Sequence, residues 1–375
     1  MKIFFLSSHH GTGASETLWI EAATKLAAAG HKVCAAVNWR SRDLARLAAL
    51  AEAGGTVRFL NLGAHAGGIA KIVRRLMPHE KWEIAAARRA ITAAMPQTIV
   101  FSQGNDVSVL PFLELAHSMG VPSQVVTHGV NPAVWPSDDI ADRLRPAFTS
   151  ASRTYWVASR NIKEFEYHIG VRLGNAEVVR NPVKVDRDAP FSWPTDDGTW
   201  RMACVARLQT RAKGHDLLLQ ALAEPQWRER ALHLTFFGDG ENRRGLERLA
   251  IMLGLSPQVS FSGHVSQVQN IWRDHHLITQ PSRNEGMPLS LVEALMCGRP
   301  ALATDVAGHA ELLTDGINGF VAEAPTVRHI SSVLERAWNE RMNWETMGQA
   351  AYERIRQDIP LDPSEQFATK ILAAI

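Results

Sequence analysis

Two glutamates, Glu285 and Glu293, lie eight positions apart in the sequence, the first in a polar loop and the second in the segment that follows. Pro288 lies between them at a position suited to the first turn of a helix, and Gly298 is suited to end one, so the pattern predicts a helix over Leu289–Met296. The free N–H groups at the beginning of a helix favour an anion. Carboxylates beside such groups accept hydrogen bonds from hydroxyls, which predicts a site for an anionic, hydroxyl-bearing ligand.

The ordinary alternative for Glu293 is a solvated position on the edge of its helix. A single glutamate on a largely apolar helix contacts water more often than a ligand. The loop, the proline, the terminating glycine and the second glutamate occur together here, which weakens that alternative. We therefore expect Glu285 and Glu293 to be ionised hydrogen-bond acceptors in one site.

The segments around these glutamates alternate between apolar strands and helices. Ile278–Ser282 and Ala301–Val306 have the composition of buried strands, and the predicted helix separates them. Strand–helix–strand order is typical of a parallel sheet. The same alternation begins at Lys2 and recurs along the chain, which predicts an α/β fold.

Composition and charge exclude several classes of protein. The chain has 375 residues, 46% of them hydrophobic and 21% charged, which is long enough for two globular domains. A net charge of +2 gives no support for a nucleic-acid partner. Three widely spaced cysteines form neither a disulfide framework nor a metal cluster. The opening IFFLSS has four consecutive apolar residues, too few for a signal peptide, so we expect a cytoplasmic protein.

The loop after the first predicted strand contains two glycines, within Gly11–Gly13. A dinucleotide site is disfavoured because Glu16 occupies the third glycine position of G-x-G-x-x-G and no acidic residue ends the second strand. The alternative is that the backbone at Gly13 and Ala14 approaches a diphosphate or an acceptor. Two weaker acceptor-side candidates here are His9 and Ser15.

A histidine and an aromatic–acidic group lie in the middle of the first half. His128 ends a predicted strand, where open α/β sheets bind ligands, although a single histidine is often only a core or surface residue. Trp135 precedes Asp138 and Asp139. An aromatic face takes sugar C–H groups and carboxylates take hydroxyls, so this loop predicts a sugar platform, with a loop packed on the core as the alternative.

A basic stretch covers positions 71–89. The ordinary interpretation of this stretch is a solvated helix face. The functional interpretation is a surface that contacts anionic lipid or a phosphorylated acceptor. The basic residues are Lys71, Arg74, Arg75, Lys81, Arg88 and Arg89.

Two cations in the second half are spaced to bind a diphosphate. Arg207 follows a predicted strand, and Lys213 lies six positions later. A cation at the end of a strand and another in the next loop can hold a diphosphate without a metal ion. No Asp-x-Asp follows a predicted strand, and no His or Cys cluster is suited to a catalytic metal, so we expect neither a metal nor a cofactor.

At this point the sequence resembles a known family, the retaining glycosyltransferases of family 4. The family signature is two glutamates separated by seven residues inside PS..EG.pL..lEA...G.P, and residues 281–300 read PSRNEGMPLSLVEALMCGRP. Further similar segments are TDVAGHAELLTDGINGF, VARLQTRAKG, the tetrapeptide RNPV at Arg180–Val183, and GASETLWIEAATKLAAAGHKV. Ala14 departs from the second glycine of the family's GGSE segment.

The resemblance implies a role for each of these residues. It implies that Arg207 and Lys213 stabilise the leaving diphosphate and that Glu293 binds the ribose. Glu285 is implied to hold the donor sugar, and His128 to contact the donor from the first domain. Further implied donor contacts are Gly13, Ala14, His264, Val265, Gly286, Met287, Pro288 and Leu289.

The predicted fold class is α/β, with two Rossmann-like domains facing across a cleft (GT-B) and C-terminal helices crossing back to the first domain. The predicted bounds are 1–185 for the acceptor-side domain, 186–199 for a linker, 200–357 for the nucleotide-sugar domain and 358–375 for the returning helix.

The predicted function is metal-independent, retaining transfer of a sugar from a nucleotide-diphosphate sugar, UDP favoured over GDP. The acceptor is a sugar, a glycolipid or a small molecule. Two alternatives stay open: another GT-B activity, such as a sugar epimerase or a phosphorylase, and a nucleotide-sugar-binding subunit without turnover. The presence of Arg207, Lys213, Glu285 and Glu293 argues against the subunit.

Overall fold

The computed structural model describes residues 1–7, 14–38, 45–60, 79–104, 107–187 and 191–375, without the side chains of residues 14 and 79–81. These residues divide into two compact units. Unit 1 comprises Met1–Pro182 together with Leu361–Ile375, and unit 2 comprises Val183–Pro360.

Unit 1 contains a seven-stranded sheet in the order β3-β2-β1-β4-β5-β6-β7. All of its strand pairs are parallel. The strands are β1 Lys2–Ser7, β2 Lys32–Val37, β3 Thr56–Phe59, β4 Thr98–Gln103, β5 Ser123–Thr127, β6 Arg153–Trp156 and β7 Ala176–Val178. The described helices are α1 Ala14–Ala28, α2 Ala45–Glu52, α3 His79–Ala94, α4 Leu110–Ser118, α5 Asp138–Thr149 and α6 Ser159–Ile169, with α15 Pro363–Ala373 from the end of the chain.

The central strands of unit 1 are buried along most of their length because apolar residues pack against both faces of the sheet. In β1, Ile3–Leu6 are at most 1% exposed, and every residue of β4 is buried. The apolar runs at the centres of these strands are what a parallel sheet covered on both sides requires. The prediction of a parallel α/β architecture is confirmed.

The helix α15 belongs to unit 1, which confirms the predicted return of the C-terminal helix. Asp362 accepts a hydrogen bond from the backbone N–H of Glu365 at 2.9 Å, the capping contact that begins the helix. Phe367 and Ile371 are fully buried in the core of unit 1. The hydroxyl of Tyr155 donates to the carbonyl oxygen of Lys370 at 3.1 Å.

Unit 2 contains a six-stranded parallel sheet in the order β10-β9-β8-β11-β12-β13. The strands are β8 Trp200–Val205, β9 Leu232–Phe237, β10 Val259–Gly263, β11 Leu277–Gln280, β12 Ala301–Thr304 and β13 Gly319–Ala322. The helices are α7 Thr210–Lys213, α8 His215–Leu222, α9 Arg243–Met252, α10 Ile271–Asp274, α11 Leu289–Met296, α12 His309–Leu312, α13 Val327–Asn339 and α14 Trp344–Asp358, with 3-10 turns at Pro225–Trp227, Val268–Asn270 and Arg341–Asn343.

The described part of the predicted linker, 186–187 and 191–199, is counted with unit 2. The guanidinium of Arg187 donates to the carbonyl oxygens of Ile359 and Pro360 at 2.7 and 2.6 Å. Arg299, 1% exposed, donates to the carbonyl oxygen of Ser192 at 2.7 Å. These hydrogen bonds attach the segment to unit 2, so it is not a free connection between units.

Candidate functional site

Three loops of unit 2 follow the carboxyl ends of adjacent parallel strands. Residues 206–209 follow β8, residues 238–242 follow β9, and residues 281–288 follow β11. Because β8 lies between β9 and β11, the three loops emerge at one edge of the sheet. Arg207 lies exposed in the first loop, and among the described residues its guanidinium has no ion-pair partner.

A glycine allows the end of α7 to approach the third loop. Gly214 ends α7 with a φ of +64°, and a Cβ there would lie 2.0 Å from the carbonyl oxygen of Pro281. Only glycine fits this contact. The close approach places the ammonium Nζ of Lys213 2.6 Å from Oε1 of Glu285. The structure therefore brings together two residues that are 72 positions apart.

Glu285 is buried and ionised. Its side chain is 6% exposed, and Oε1 also accepts a hydrogen bond from the Ser282 hydroxyl at 2.8 Å. Burial opposes ionisation, but the attraction of Lys213 and His309 and the hydrogen bonds of Lys213 and Ser282 hold the pKa of the Glu285 carboxyl below its usual value. Its other oxygen, Oε2, accepts no hydrogen bond from the described residues. The loop thus presents a fixed negative charge with a free acceptor.

A second ion pair holds the Glu285 loop against α8, and further hydrogen bonds hold it against α7. Arg283 forms a bidentate pair with Asp216 at 2.7 and 2.8 Å and donates to the carbonyl oxygen of Thr210 at 2.8 Å. The backbone N–H groups of Arg283 and Asn284 both donate to the carbonyl oxygen of Ala212 at 2.8 and 3.1 Å. We call the Arg283–Asp216 pair the loop clamp. It fixes the position of Lys213 relative to Glu285.

Glu293 lies on α11, whose bounds match the predicted helix, with Pro288 as the N-cap residue and Gly298 at a φ of +73° beyond the end. The side chain is 5% exposed and hydrogen-bonds the backbone of Lys184. Burial raises the pKa of Glu293 to about 7, and the Lys184 backbone opposes this only in part. Glu293 is therefore not a solvated edge. In the free protein it also differs from the expected fully ionised carboxylate, because no cationic side chain forms an ion pair with it in the described chain.

A buried histidine lies beside the strands that carry the Glu285 loop. His309 is fully buried, with Nδ1 2.8 Å from the carbonyl oxygen of Thr304 and Nε2 2.9 Å from the side-chain oxygen of Gln280. Burial lowers the pKa of His309. The backbone N–H of Gly308 donates to the carbonyl oxygen of Gly286 at 3.1 Å. His309, Arg283 and Asp216 are not among the residues predicted from the sequence, because the partners that place them at the site are distant in the chain.

The remaining predicted donor residues of unit 2 have varied environments. Met287 and Pro288 are buried, whereas Gly286 and Leu289 are half-buried. His264 is exposed and Val265 is half-buried. Both follow β10, so they lie at the same edge of the sheet as the three loops.

The predicted residues of unit 1 form a looser set. His128 follows β5 and is half-buried, with Nε2 3.5 Å from the hydroxyl oxygen of Ser102. Trp135 is 63% exposed, which does not fit the alternative of a loop packed on the core. Asp138 and Asp139 are exposed in the first turn of α5.

The helix α1 contains a buried glutamate in its first turn. Ser15 is half-buried, and the next residue, Glu16, is fully buried and accepts a hydrogen bond from the Ser7 hydroxyl at 2.8 Å. Burial raises the pKa of Glu16 to about 7. Ala14 begins α1. His9 and Gly13 lie outside the described residues.

The basic stretch is described only in part. Arg88 and Arg89 are exposed on α3, and Lys71, Arg74, Arg75 and the side chain of Lys81 lie outside the described residues. In the described ranges, no helix has the length and apolar character needed to cross a bilayer. Nor does any group of three His, Cys, Asp or Glu side chains there have a metal-binding arrangement. Metal independence, the cytoplasmic location and membrane contact stay predictions.

Comparison with known families identifies the sequence pattern of unit 2. Residues 185–354 match the family model described as glycosyl transferases group 1. The D-inositol 3-phosphate glycosyltransferase of Mycolicibacterium smegmatis is 34% identical over 161 residues, which are 40% of this chain and 35% of that protein. The putative glycosyltransferase EpsD of Bacillus subtilis is 28% identical over 137 residues, 36% of each chain. These matches thus cover about a third of each relative.

Solved structures match the whole chain in fold. HepE of Anabaena, solved in complex with UDP, is 19% identical with a TM-score of 0.74, and the match covers 100% of both chains. Sucrose-phosphate synthase of Thermosynechococcus elongatus is 16% identical with a TM-score of 0.74, again over 100% of both chains. The two parallel-sheet α/β units therefore have the GT-B fold, and residues 185–354 carry the sequence pattern of the glycosyl transferases group 1.

Proposed function

We propose that this protein is a retaining glycosyltransferase of family 4 that transfers a sugar from a nucleotide-diphosphate sugar to a sugar, glycolipid or small-molecule acceptor. UDP-sugars are favoured over GDP-sugars, since HepE was solved with UDP and with UDP-glucose. A further relative in fold, TarM of S. aureus, was solved with UDP and a GlcNAc-glycerol.

The observation that carries the proposal is the pair of Lys213 with the buried Glu285 in unit 2, which lies with Arg207 and Glu293 inside the matched segment. Arg207 and Lys213 project from the ends of adjacent structural elements at one edge of the sheet. Glu285 uses one oxygen to hold Lys213, and Glu293 is buried one helix turn beyond the loop. Burying a charge is costly. An ion pair that served only the protein surface would not need a buried carboxylate, so the burial of Glu285 favours a role in binding.

The proposed chemistry follows from these positions. A lysine ammonium has three donors, and Glu285 takes one of those of Lys213, so two remain for the oxygens of a diphosphate. Lys213 and Arg207 stabilise the negative charge that develops on the diphosphate as the glycosidic bond breaks, and this makes metal-independent transfer feasible. Oε2 of Glu285 accepts from a hydroxyl of the transferred sugar. Glu293 accepts from the ribose.

The donor class is tested first by thermal stabilisation of the full chain. UDP and UDP-glucose are expected to raise Tm more than GDP or GDP-mannose at equal concentration, since a ligand bound only to the folded state stabilises it. The shift is expected to be smaller in Glu293→Gln and unchanged in Arg211→Ala, an exposed cation on α7 used as the matched control. Absence of a shift with any nucleotide contradicts the proposal.

Turnover then decides the reaction. Donor consumption in excess chelator is expected to continue, and proton NMR of the product is expected to show an α-linkage from an α-linked donor. A β-linked product would contradict retention, and activity that only magnesium or manganese restores would contradict metal independence. Consumption that requires phosphate in place of an acceptor indicates a phosphorylase.

A further inference from the structure

Unit 1 contains a cavity that the sequence analysis did not predict. Its volume is about 440 Å³, within the range of small-molecule sites. The cavity is lined by Trp135, Glu166, Tyr167, Gly170, Val171 and Arg172. Only Trp135 was a predicted site residue.

Two aromatic side chains of this cavity are open to solvent. Trp135 is 63% exposed and Tyr167 is 58% exposed. The indole of Trp135 has an edge-on contact with the His168 ring at 4.8 Å between centroids and 62° between planes. That contact supports the indole at its position while most of the ring stays accessible. Exposed, supported aromatic rings are suited to contact the C–H faces of a sugar ring.

A helix end holds a charged pair beside these rings. Gly170 ends α6 in the left-handed region at a φ of +65°, which turns the chain back toward the helix. The carboxylate of Glu166, 8% exposed, then accepts from Nη1 of Arg172 at 2.6 Å and from the backbone N–H of Leu173 at 2.9 Å. Both oxygens of Glu166 are thereby used to fix the turn and the guanidinium.

Arg172 keeps most of its donors available. Its side chain is 77% exposed, and among the described residues only Nη1 has a partner, whereas a guanidinium has five N–H groups. The charges of Glu166 and Arg172 cancel, so the lining carries no net charge. A ligand with hydroxyl groups, an apolar ring face and no charge therefore complements this cavity.

We propose that the cavity is a carbohydrate subsite that binds one uncharged pyranose unit. Trp135 and Tyr167 contact the ring faces, and Arg172 donates to hydroxyl oxygens. The identification of that sugar as part of the acceptor rests on the proposed function, whereas the binding itself does not.

The test is saturation-transfer-difference NMR on the full chain without any nucleotide. The probes are methyl α-D-glucopyranoside, methyl N-acetyl-α-D-glucosaminide and the anionic methyl α-D-glucuronide. At least one uncharged probe is expected to receive saturation, and Trp135→Ala and Tyr167→Ala are each expected to weaken its affinity about threefold to tenfold. The control is Trp82→Ala, which removes a tryptophan that is 37% exposed on α3 of the same unit.

Four outcomes overturn the proposal. One is the absence of saturation in every probe, the second is equal binding by Trp135→Ala and Trp82→Ala, and the third is a preference for the glucuronide. An oligomer that Trp135→Ala converts to a monomer, with no sugar binding, identifies the cavity as a protein interface and also overturns it. Sugar binding without donor turnover leaves this subsite standing and refutes the proposed function alone. Melting curves confirm that the variants fold.

Discussion

The Glu285 loop and the helix α11 each contain a buried carboxylate, but the two carboxylates differ in charge state. Glu285 and Glu293 are 7% and 5% exposed, so burial alone would raise the pKa of both. Lys213 lies 2.6 Å from Glu285 and holds its pKa below the usual value, whereas Glu293 has a hydrogen bond with the Lys184 backbone and a pKa raised to about 7.

The difference shows that the nearest cation, and not the degree of burial, decides the charge of each glutamate. The loop carries a permanent negative charge near pH 7. The charge of the helix glutamate changes within the physiological range and responds to whatever binds beside it. Donor binding at α11 is therefore expected to be coupled to proton release, and binding at the loop is not.

Removing Lys213 is expected to have the largest effect. Lys213→Ala leaves Glu285 buried without its cation and removes a donor aimed at the developing diphosphate charge, so kcat is expected to fall about 100-fold to 1,000-fold. The measurement is kcat with the best donor, beside melting curves. Arg211→Ala is the control, because that cation lies exposed on the same helix. Equal losses in the two variants would show that the ion pair is not part of the site.

Glu293→Gln tests the other half of the comparison. Loss of the charged acceptor is expected to weaken UDP binding at pH 8 by about 1.5–3 kcal/mol, about 10-fold to 150-fold. With a pKa of about 7, Glu293 is about one-tenth ionised at pH 6 and nine-tenths at pH 8, so wild-type affinity is expected to rise about tenfold over that interval. Calorimetry at both pH values measures this.

Ionisation of the nucleotide also changes with pH, and it affects binding to wild type and to Glu293→Gln alike. The Glu293→Gln variant is therefore the control for it. An identical pH dependence in wild type and Glu293→Gln would refute the assignment. The pH dependence of stability has the opposite direction to that of nucleotide affinity. Because the folded pKa of Glu293 is raised, its contribution to the free energy of unfolding is complete below pH 4.5 and is lost as the pH rises through about 7.

The loop clamp is expected to have the smallest effect. Arg283→Ala leaves the Lys213–Glu285 pair and the backbone hydrogen bonds to Ala212 in place. We therefore expect a loss of about fivefold in kcat, in line with about 1 kcal/mol for a half-exposed ion pair. The exchange Arg283→Asp with Asp216→Arg should restore part of it. Arg230→Ala, which breaks another ion pair of unit 2 with Glu335, should leave kcat unchanged.

Residues that begin or end a helix predicted its bounds well, because they act on the backbone within one helical turn. The helix at Leu289–Met296 has its predicted bounds, and the Asp-Pro-Ser-Glu sequence that begins at Asp362 is a local capping pattern that begins α15. The apolar run Tyr155–Ser159 has the pattern of a strand, but β6 ends at Trp156 and Ser159 begins α6. Val157 and Ala158 are fully buried without being in the strand, because an apolar run marks burial and not backbone conformation.

The charge state and support of the site could not be predicted in the same way. Residue types indicated two carboxylates, but the sequence does not show that a cation reaches Glu285 and none pairs with Glu293. The loop clamp joins residues 67 positions apart, and the cavity of unit 1 is formed in part by the turn after α6. Such contacts depend on tertiary structure, which a hydrophobic pattern does not encode.

The return of the last helix has a consequence for the order of biosynthesis. Phe367 and Ile371 complete the core of unit 1, and the Phe367 ring lies 5.1 Å from that of Tyr155. The ribosome makes these residues only after residues 183–360, the whole of unit 2. Unit 1, although begun first, therefore keeps an uncovered apolar face while unit 2 is synthesised, until its final segment emerges.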